Sequence, residues 1–201
     1  MPKKLVIGLV GGMGSGKSRV AAEFAKHGAR IVNADEMGHL ALRQPAIRDV
    51  LVQRWGRGIL DQQGEIDRGR VGRIVFAHDD DRKALEGAVH PYIAGRIREE
   101  MEAARADPKV KLVVLDAAIM LETGWHEACD RLVYVHAPRA ARLQRLADQR
   151  GWSVKEVEAR ESAQISLTEK ATRADNAIDN SGSPESLARQ VADLLRRWGV
   201  Q

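Results

Sequence analysis

Two kinds of hydrophobic pattern alternate along the chain. Residues 5–10 form a short, continuous apolar run with β-branched members, which predicts a strand buried in a parallel sheet. Residues 11–16 are a Gly-rich loop. Over residues 17–27 the spacing becomes helical, with Val20, Ala21 and Phe24 on one face and Gly28 placed as a C-cap. Residues 30–33 read as a second strand, so the chain opens as strand, loop, helix, strand. Residues 36–105 carry no strand pattern. Apolar residues recur there at helical spacing in 46–55 (Ile47, Val50, Leu51), 70–77 (Val71, Ile74, Val75) and 83–103 (Leu85, Val89, Ile93, Ile97), punctuated by Gly56, Gly58 and Gly64. A helical insertion after the second strand is predicted, with Pro91 kinking its last helix.

Strand patterns return at residues 112–115, which end at Asp116, and at 132–135. Pro138 suits the first turn of a helix reaching about residue 148. Ser153 and Glu156 have capping-box spacing for another. Residues 176–179 read as a last short strand, and Ser183-Pro184 opens a helix with periodic Leu187, Val191, Leu194 and Leu195. Strands alternating with helices predict an α/β fold with a parallel sheet flanked by helices.

At 201 residues the chain accommodates one domain with an embellishment. Its 44% hydrophobic and 30% charged residues exclude wholesale disorder. No apolar run approaches the ~20 residues of a membrane helix. A net charge of +4 does not point to nucleic acid and suits a protein that handles small polyanions such as nucleotides. Cys129 stands alone, which excludes an internal disulfide or a multi-Cys zinc site and predicts a reducing, cytoplasmic setting. Lys3-Lys4 before the first apolar run imitates a signal peptide, but the run is short and passes into glycines without a cleavage pattern. The six His residues show no metal spacing, and the four Trp residues read as packing.

Gly11-Gly12-Met13-Gly14-Ser15-Gly16-Lys17-Ser18 matches G-x-x-x-x-G-K-[ST], between a strand and a helix. Glycines let backbone N–H groups approach phosphate oxygens, and the following helix aims its positive end at them. Lys17 is placed to reach the β- and γ-phosphates and Ser18 to hold Mg²⁺. Asp116 is either the acid that supports the metal or a solvent-facing strand end. Asp35, just after the second strand, is either a carboxylate near the γ-phosphate that accepts a hydroxyl proton or an N-cap. Arg139, Arg142 and Arg145, with Arg150 beyond, form either a solvated basic face or a set that gathers transferring charge. The motif by itself does not separate a small-molecule kinase from a GTPase switch or a nucleic-acid-dependent ATPase. The absence of Asn-Lys-x-Asp counts against the switch.

Further residues form a series: Asn33-Ala34-Asp35, Trp55-Gly56, Ile59-Leu60, Gly64, Asp67-Arg68, Val75-Phe76, Leu85-Glu86, His90-Pro91, Asp116 to Glu122-Thr123-Gly124, Arg145-Leu146, Ala174-Asp175 and Ile178-Asp179-Asn180-Ser181-Gly182. With the Gly-rich motif, this series resembles the dephospho-coenzyme A kinases over nearly the whole chain. The resemblance implies a single P-loop kinase unit over 1–201. Its core lies at about 1–35, 106–138 and 174–201, with a helical substrate-binding insertion at about 36–105 and a helical lid at about 139–173. It implies transfer of the ATP γ-phosphoryl, with Mg²⁺, to the ribose 3′-hydroxyl of dephospho-coenzyme A, the final step of coenzyme A biosynthesis. The enzyme would be cytoplasmic, a monomer or weak homo-oligomer, with no nucleic-acid or membrane partner.

Carried over residue by residue, Asp35, Lys17 and Arg145 would be catalytic. Gly12, Met13, Gly14, Ser15, Gly16, Lys17, Ser18, Arg19, Asn180 and Gly182 would bind ATP. Arg68 and His90 would bind the acceptor, Ser18 and Asp116 the metal, and Arg142 and Arg150 would be lid candidates. The chain departs from the family pattern at several positions. Asn33 replaces an Asp, Arg19 a Thr and Ala118 a Pro, and Met120-Leu121 stands for Leu-Phe. Gln149 occupies the place of a usual lid arginine, with Arg150 beside it.

Overall fold

The computed structural model describes residues 4–200. Lys3, the first of the two lysines ahead of the opening strand, lies outside them. The chain divides into two compact units, one built from the segments up to Asn33 and from Glu100 onward, the other from Ala34–Glu99.

The first unit is organised on a five-stranded sheet of β1 (Val6–Gly11), β2 (Ala29–Asn33), β3 (Leu112–Asp116), β4 (Arg131–His136) and β5 (Asn176–Asp179). The order is β2-β3-β1-β4-β5, and every pairing is parallel. β1 is central, and all six of its residues are buried, as its unbroken apolar pattern requires. A Cβ on Gly8 would stand 2.5–2.9 Å from Met120 Sδ, Leu132 Cδ2 and Cys129 Sγ, so the loop after β3 packs directly on this strand. Helix α1 (Lys17–Ala25) ends sooner than its pattern suggests, and Gly28 makes the left-handed turn (φ 88°) into β2.

Helices α2 (Ala34–Ala41), α3 (Pro45–Trp55), α4 (Arg68–Ala77) and α5 (Asp79–Ala106) follow β2. Leu51, Ile59, Ile66, Val71 and Val75 form the core of the second unit. α5 runs as one 28-residue helix through Pro91, where the sequence predicts a kink. Buried Val89, Ile93 and Ile97 hold the turns on both sides of the exposed proline.

α6 (Arg139–Arg150), α7 (Val154–Glu161), α8 (Leu167–Thr172) and α9 (Pro184–Arg197) complete the first unit. The Ser153–Glu156 capping box is formed at α7. α8, capped by Ser166, has no counterpart in the periodicity because it is only six residues long. α9 lays Leu187, Val191, Leu194 and Leu195 into the main core, where Trp198 stacks on Phe24 at 6.4 Å between centroids.

Candidate active site

In a parallel sheet the C-terminal strand ends face the ligand crevice. β1 delivers the Gly-rich loop there. Gly14 (φ 72°) and Gly16 (φ 85°) adopt left-handed backbone, and each is also closely packed. A Cβ on Gly14 would meet the Arg142 carbonyl at 2.6 Å, and one on Gly16 would overlap Asn180 Nδ2. The Ser15 N–H donates to the Gly12 carbonyl at 3.1 Å, closing the turn. α1 then starts at Lys17 with no side-chain cap and no acidic residue in its first turn. Its positive end is thus left for an external anion.

Three side chains fasten the loop from outside. Arg142, 4% exposed, donates through Nη1 to the Met13 carbonyl at 3.1 Å and pairs with Glu161 at 2.5 Å. Arg145 Nη1 donates to the carbonyls of Gly14 (3.1 Å) and Ser15 (3.2 Å), and its Nη2 to that of Asn180 (2.9 Å). Asn180, 1% exposed, donates through Nδ2 to the Ser15 carbonyl at 2.8 Å. The loop and the turn after β5 are therefore tied together by Arg145 and Asn180. Ser15 Oγ and Asn180 Oδ1 are buried without a hydrogen-bond partner, which is costly unless a ligand supplies one.

Ser18 Oγ donates to Asp116 Oδ2 at 3.1 Å. Asp116 is 7% exposed at the end of β3, in register with Leu9 of β1 and Asn33 of β2. It is not a solvent-facing strand end. A hydroxyl and a carboxylate suit a hard cation completed by water and phosphate oxygens, as Mg²⁺ prefers. No cluster of three or more His, Cys, Asp or Glu able to hold a metal occurs among the described residues. Lys17 is the half-buried first residue of α1, Arg19 is exposed on the same helix, and Gly182 is exposed just before the Ser183 cap of α9.

α6 separates the arginines that look equivalent in sequence. Arg139 pairs at the surface with Glu158 (2.7 Å), whereas Arg142 and Arg145 reach the loop. Arg150 and Gln149 are exposed at the C-terminal end. Arg150 and Arg160 both lie against Trp152, with Cζ 4.9 and 4.2 Å from the ring centroid. Sequence reasoning missed a buried network behind them. Lys170, 2% exposed, donates to Gln164 Oε1 (3.0 Å) and pairs with Glu122 Oε1 (3.2 Å), which also accepts the Ile165 N–H (3.0 Å). Only the Ser166–Glu169 spacing signalled a helix there, and nothing marked Lys170 as its inward residue.

The second unit holds the remaining predicted residues. α2 starts at Ala34, directly after β2, so Asp35 lies inside the first turn rather than at an N-cap, with its side chain exposed. His39 is one turn further on. Burial, then the Arg68 guanidinium, pushes its imidazole pKa down, while Asp35 and Glu36 oppose the shift. Asp35, His39 and Arg68 therefore form one electrostatic neighbourhood. Arg68 is the exposed first residue of α4, behind the Asp67 cap. His90 is half-buried on α5; burial lowers its pKa and Glu86 opposes this.

A family model described as dephospho-CoA kinase matches residues 5–186. The dephospho-CoA kinase of Geobacillus kaustophilus is 38% identical over 196 residues, covering 96% of each chain. A crystal structure of a Thermus thermophilus protein superimposes with TM-score 0.80 at 32% identity, covering 97% of this chain and 98% of that one. The dephospho-CoA kinase from Campylobacter jejuni shares the fold, with TM-score 0.71 at 23% identity over 96% of each chain. With its parallel sheet, Gly-rich phosphate loop and near full-length match, the chain belongs to the dephospho-CoA kinase family.

Proposed function

We propose that this protein transfers the γ-phosphoryl of ATP to the 3′-hydroxyl of dephospho-coenzyme A, completing coenzyme A. The observation that carries the reading is the phosphate loop fixed by Arg142, Arg145 and Asn180, with Ser18 on Asp116 beside it. Gly12 to Ser18 hold the phosphates through backbone N–H groups, and Lys17 tracks the migrating phosphoryl. Ser18 and Asp116 would hold Mg²⁺, which would supply neutralisation of phosphate charge. Arg145 uses three of its five N–H donors on the carbonyls of Gly14, Ser15 and Asn180 and so holds the loop in the shape the phosphates need.

Asp35 orients the acceptor hydroxyl and takes its proton. Arg68 and His90 hold the acceptor within the helical insertion. Arg19, Asn180 and Gly182 lie along the nucleotide. Residues 139–173 act as the lid, with Arg142 at its base and Arg150 supplying the charge that Gln149 cannot. Lid closure keeps water, the competing nucleophile, from the phosphoryl group. The enzyme works in the cytoplasm as a monomer or weak homo-oligomer, without nucleic acid or membrane. No helix among the described residues is long and apolar enough to cross a bilayer.

Purified protein incubated with ATP, Mg²⁺ and dephospho-coenzyme A and followed by mass spectrometry should form coenzyme A in step with ADP. Lys17→Ala should abolish it. ATP consumption without coenzyme A would overturn the acceptor assignment and leave a kinase for another nucleoside or nucleotide.

A further inference from the structure

Lys170 is the most deeply buried charged side chain among the described residues, and the phosphoryl transfer makes no use of it. Taking an ammonium out of water is costly, so its partners show what the fold gains from it. Its Nζ donates to Gln164 Oε1 at 3.0 Å and pairs with Glu122 Oε1 at 3.2 Å. The same Glu122 oxygen accepts the Ile165 N–H at 3.0 Å. One carboxylate after β3 thus holds both the chain entering α8 and the last turn of that helix.

The two ends of this tie lead to the two halves of the phosphate site. Glu122 ends a compact turn that begins at Asp116. Ala117, Met120 and Leu121 of this turn are buried, and the Thr123 N–H and Oγ1 both donate to the Ile119 carbonyl, at 3.1 and 2.8 Å. At the other end, Lys170 and Leu167 are three residues apart and share a face of α8. α8 packs against β1, and Leu167 Cδ2 lies 3.1 Å from where a Cβ on Gly12 would stand. Arg142 Nη1 lies 2.8 Å from the same point. Leu167 and Arg142 therefore close together on one glycine of the phosphate loop. Arg142 is held by Glu161, whereas Leu167 is held only as firmly as α8 itself. A glycine-rich backbone is conformationally loose, and a phosphate cradle works best when its N–H groups are fixed before the ligand arrives.

We infer that Lys170, with Glu122 and Gln164, is a positioning residue for ATP binding. It fixes α8 to the turn after β3, and Leu167 passes that constraint to Gly12 at the back of the phosphate loop. This inference rests on the reading of the Gly-rich loop as the ATP site. Lys170 itself does not touch the nucleotide, because its ammonium is enclosed and spent on Gln164 and Glu122. A pair that served stability alone would lower the melting temperature and leave the ATP affinity of the folded protein unchanged.

The test is calorimetric titration of the full-length protein with ATP and Mg²⁺, well below the melting temperature of each variant. Lys170→Met and Leu167→Ala should each weaken ATP binding about tenfold. Gln164→Ala keeps the Lys170–Glu122 pair, so it folds, and should weaken binding about threefold. Lys170→Met with Leu167→Ala should bind ATP no more weakly than the weaker single variant, because both act through one contact. KM for dephospho-coenzyme A should stay within about twofold throughout. If the melting temperature falls but every variant binds ATP like wild type, the network is structural only and the inference is overturned. Effects that multiply in the double variant would remove Leu167 as the link. Should Lys170→Met fail to fold, Gln164→Ala decides the question with the same two results. If wild-type protein binds no ATP, the reading of the loop falls first.

Discussion

Lys170 and Glu122 provide the most demanding test of the packing behind the phosphate loop. The ammonium of Lys170 is 2% exposed and the carboxylate of Glu122 is 18% exposed, at a separation of 3.2 Å. Glu122 Oε1 also holds the Ile165 N–H, while its Oε2 is buried without a partner. Glu122→Gln keeps an oxygen for Ile165 but leaves a buried cation with only Gln164. Lys170→Met leaves a buried carboxylate. Removing one partner of a buried pair costs about 3–5 kcal/mol, because the survivor stays desolvated. For a chain of this size that is a fall of roughly 6–20 °C in Tm. The double variant removes both charges and should lose clearly less than the sum of the singles. Glu158→Gln is the control, since the Arg139–Glu158 pair is half exposed (51% and 56%) and should be worth under ~1 kcal/mol. Urea unfolding of the four variants gives the cycle. Single variants within ~1 kcal/mol of wild type, or an additive double, would refute the argument.

Other outcomes follow from the same geometry. Lys17→Ala and Asp35→Asn should each cut kcat at least ~100-fold while circular dichroism stays native; near-normal turnover in Asp35→Asn would remove Asp35 from catalysis. Gly14→Ala should lower Tm and abolish ATP binding. It forces alanine to φ 72°, at ~1–2 kcal/mol, and drives its Cβ to 2.6 Å from the Arg142 carbonyl. Burial, then Asp130, pushes the Cys129 thiol from 9.0 up to about 12. The folded chain therefore keeps that proton while the unfolded chain loses it, so this group's contribution to stability is intact below pH 9 and declines between pH 9 and about 12. At pH 8 the native thiol should react with a disulfide reagent roughly a thousandfold more slowly than the unfolded one; equal rates would contradict the burial.

The frame was legible because its signals are strong and local. The apolar run of β1, the Gly-rich loop and the amphipathic α9 need no partner to be read. The capping box at Ser153 is likewise written in four residues. What escaped depends on tertiary context. Asp35 looked equally suited to an N-cap, and only the direct passage from β2 into α2 at Ala34 removed that alternative. Lys170 and the exposed Lys155 are the same residue type on neighbouring short helices. Nothing local marks the first as the buried one, because the partners that neutralise it, Glu122 and Gln164, lie 48 and 6 residues away in sequence.

The arginines of α6 show how one helical spacing can serve two purposes. Arg142 and Arg145 are three residues apart, so they lie on one face and meet successive carbonyls of the loop, those of Met13, Gly14 and Ser15. Across a trans peptide the C=O and the following N–H point in opposite directions. Fixing those carbonyls on the arginine side therefore turns the N–H groups of Gly14 and Gly16 to the other side, where a phosphate would sit. The guanidinium groups preorganise the cradle through its back, a role separate from any direct contact with ATP. Lysine at position 145 would keep the charge, but a single ammonium cannot span the carbonyls of Gly14, Ser15 and Asn180 together. Arg145→Lys should therefore raise KM for ATP roughly tenfold, the worth of a lost charge-assisted hydrogen bond, and leave KM for the acceptor unchanged. An unchanged ATP affinity would show that the loop holds its shape without Arg145, and the closely packed Gly14 and Gly16 would then be sufficient to set it.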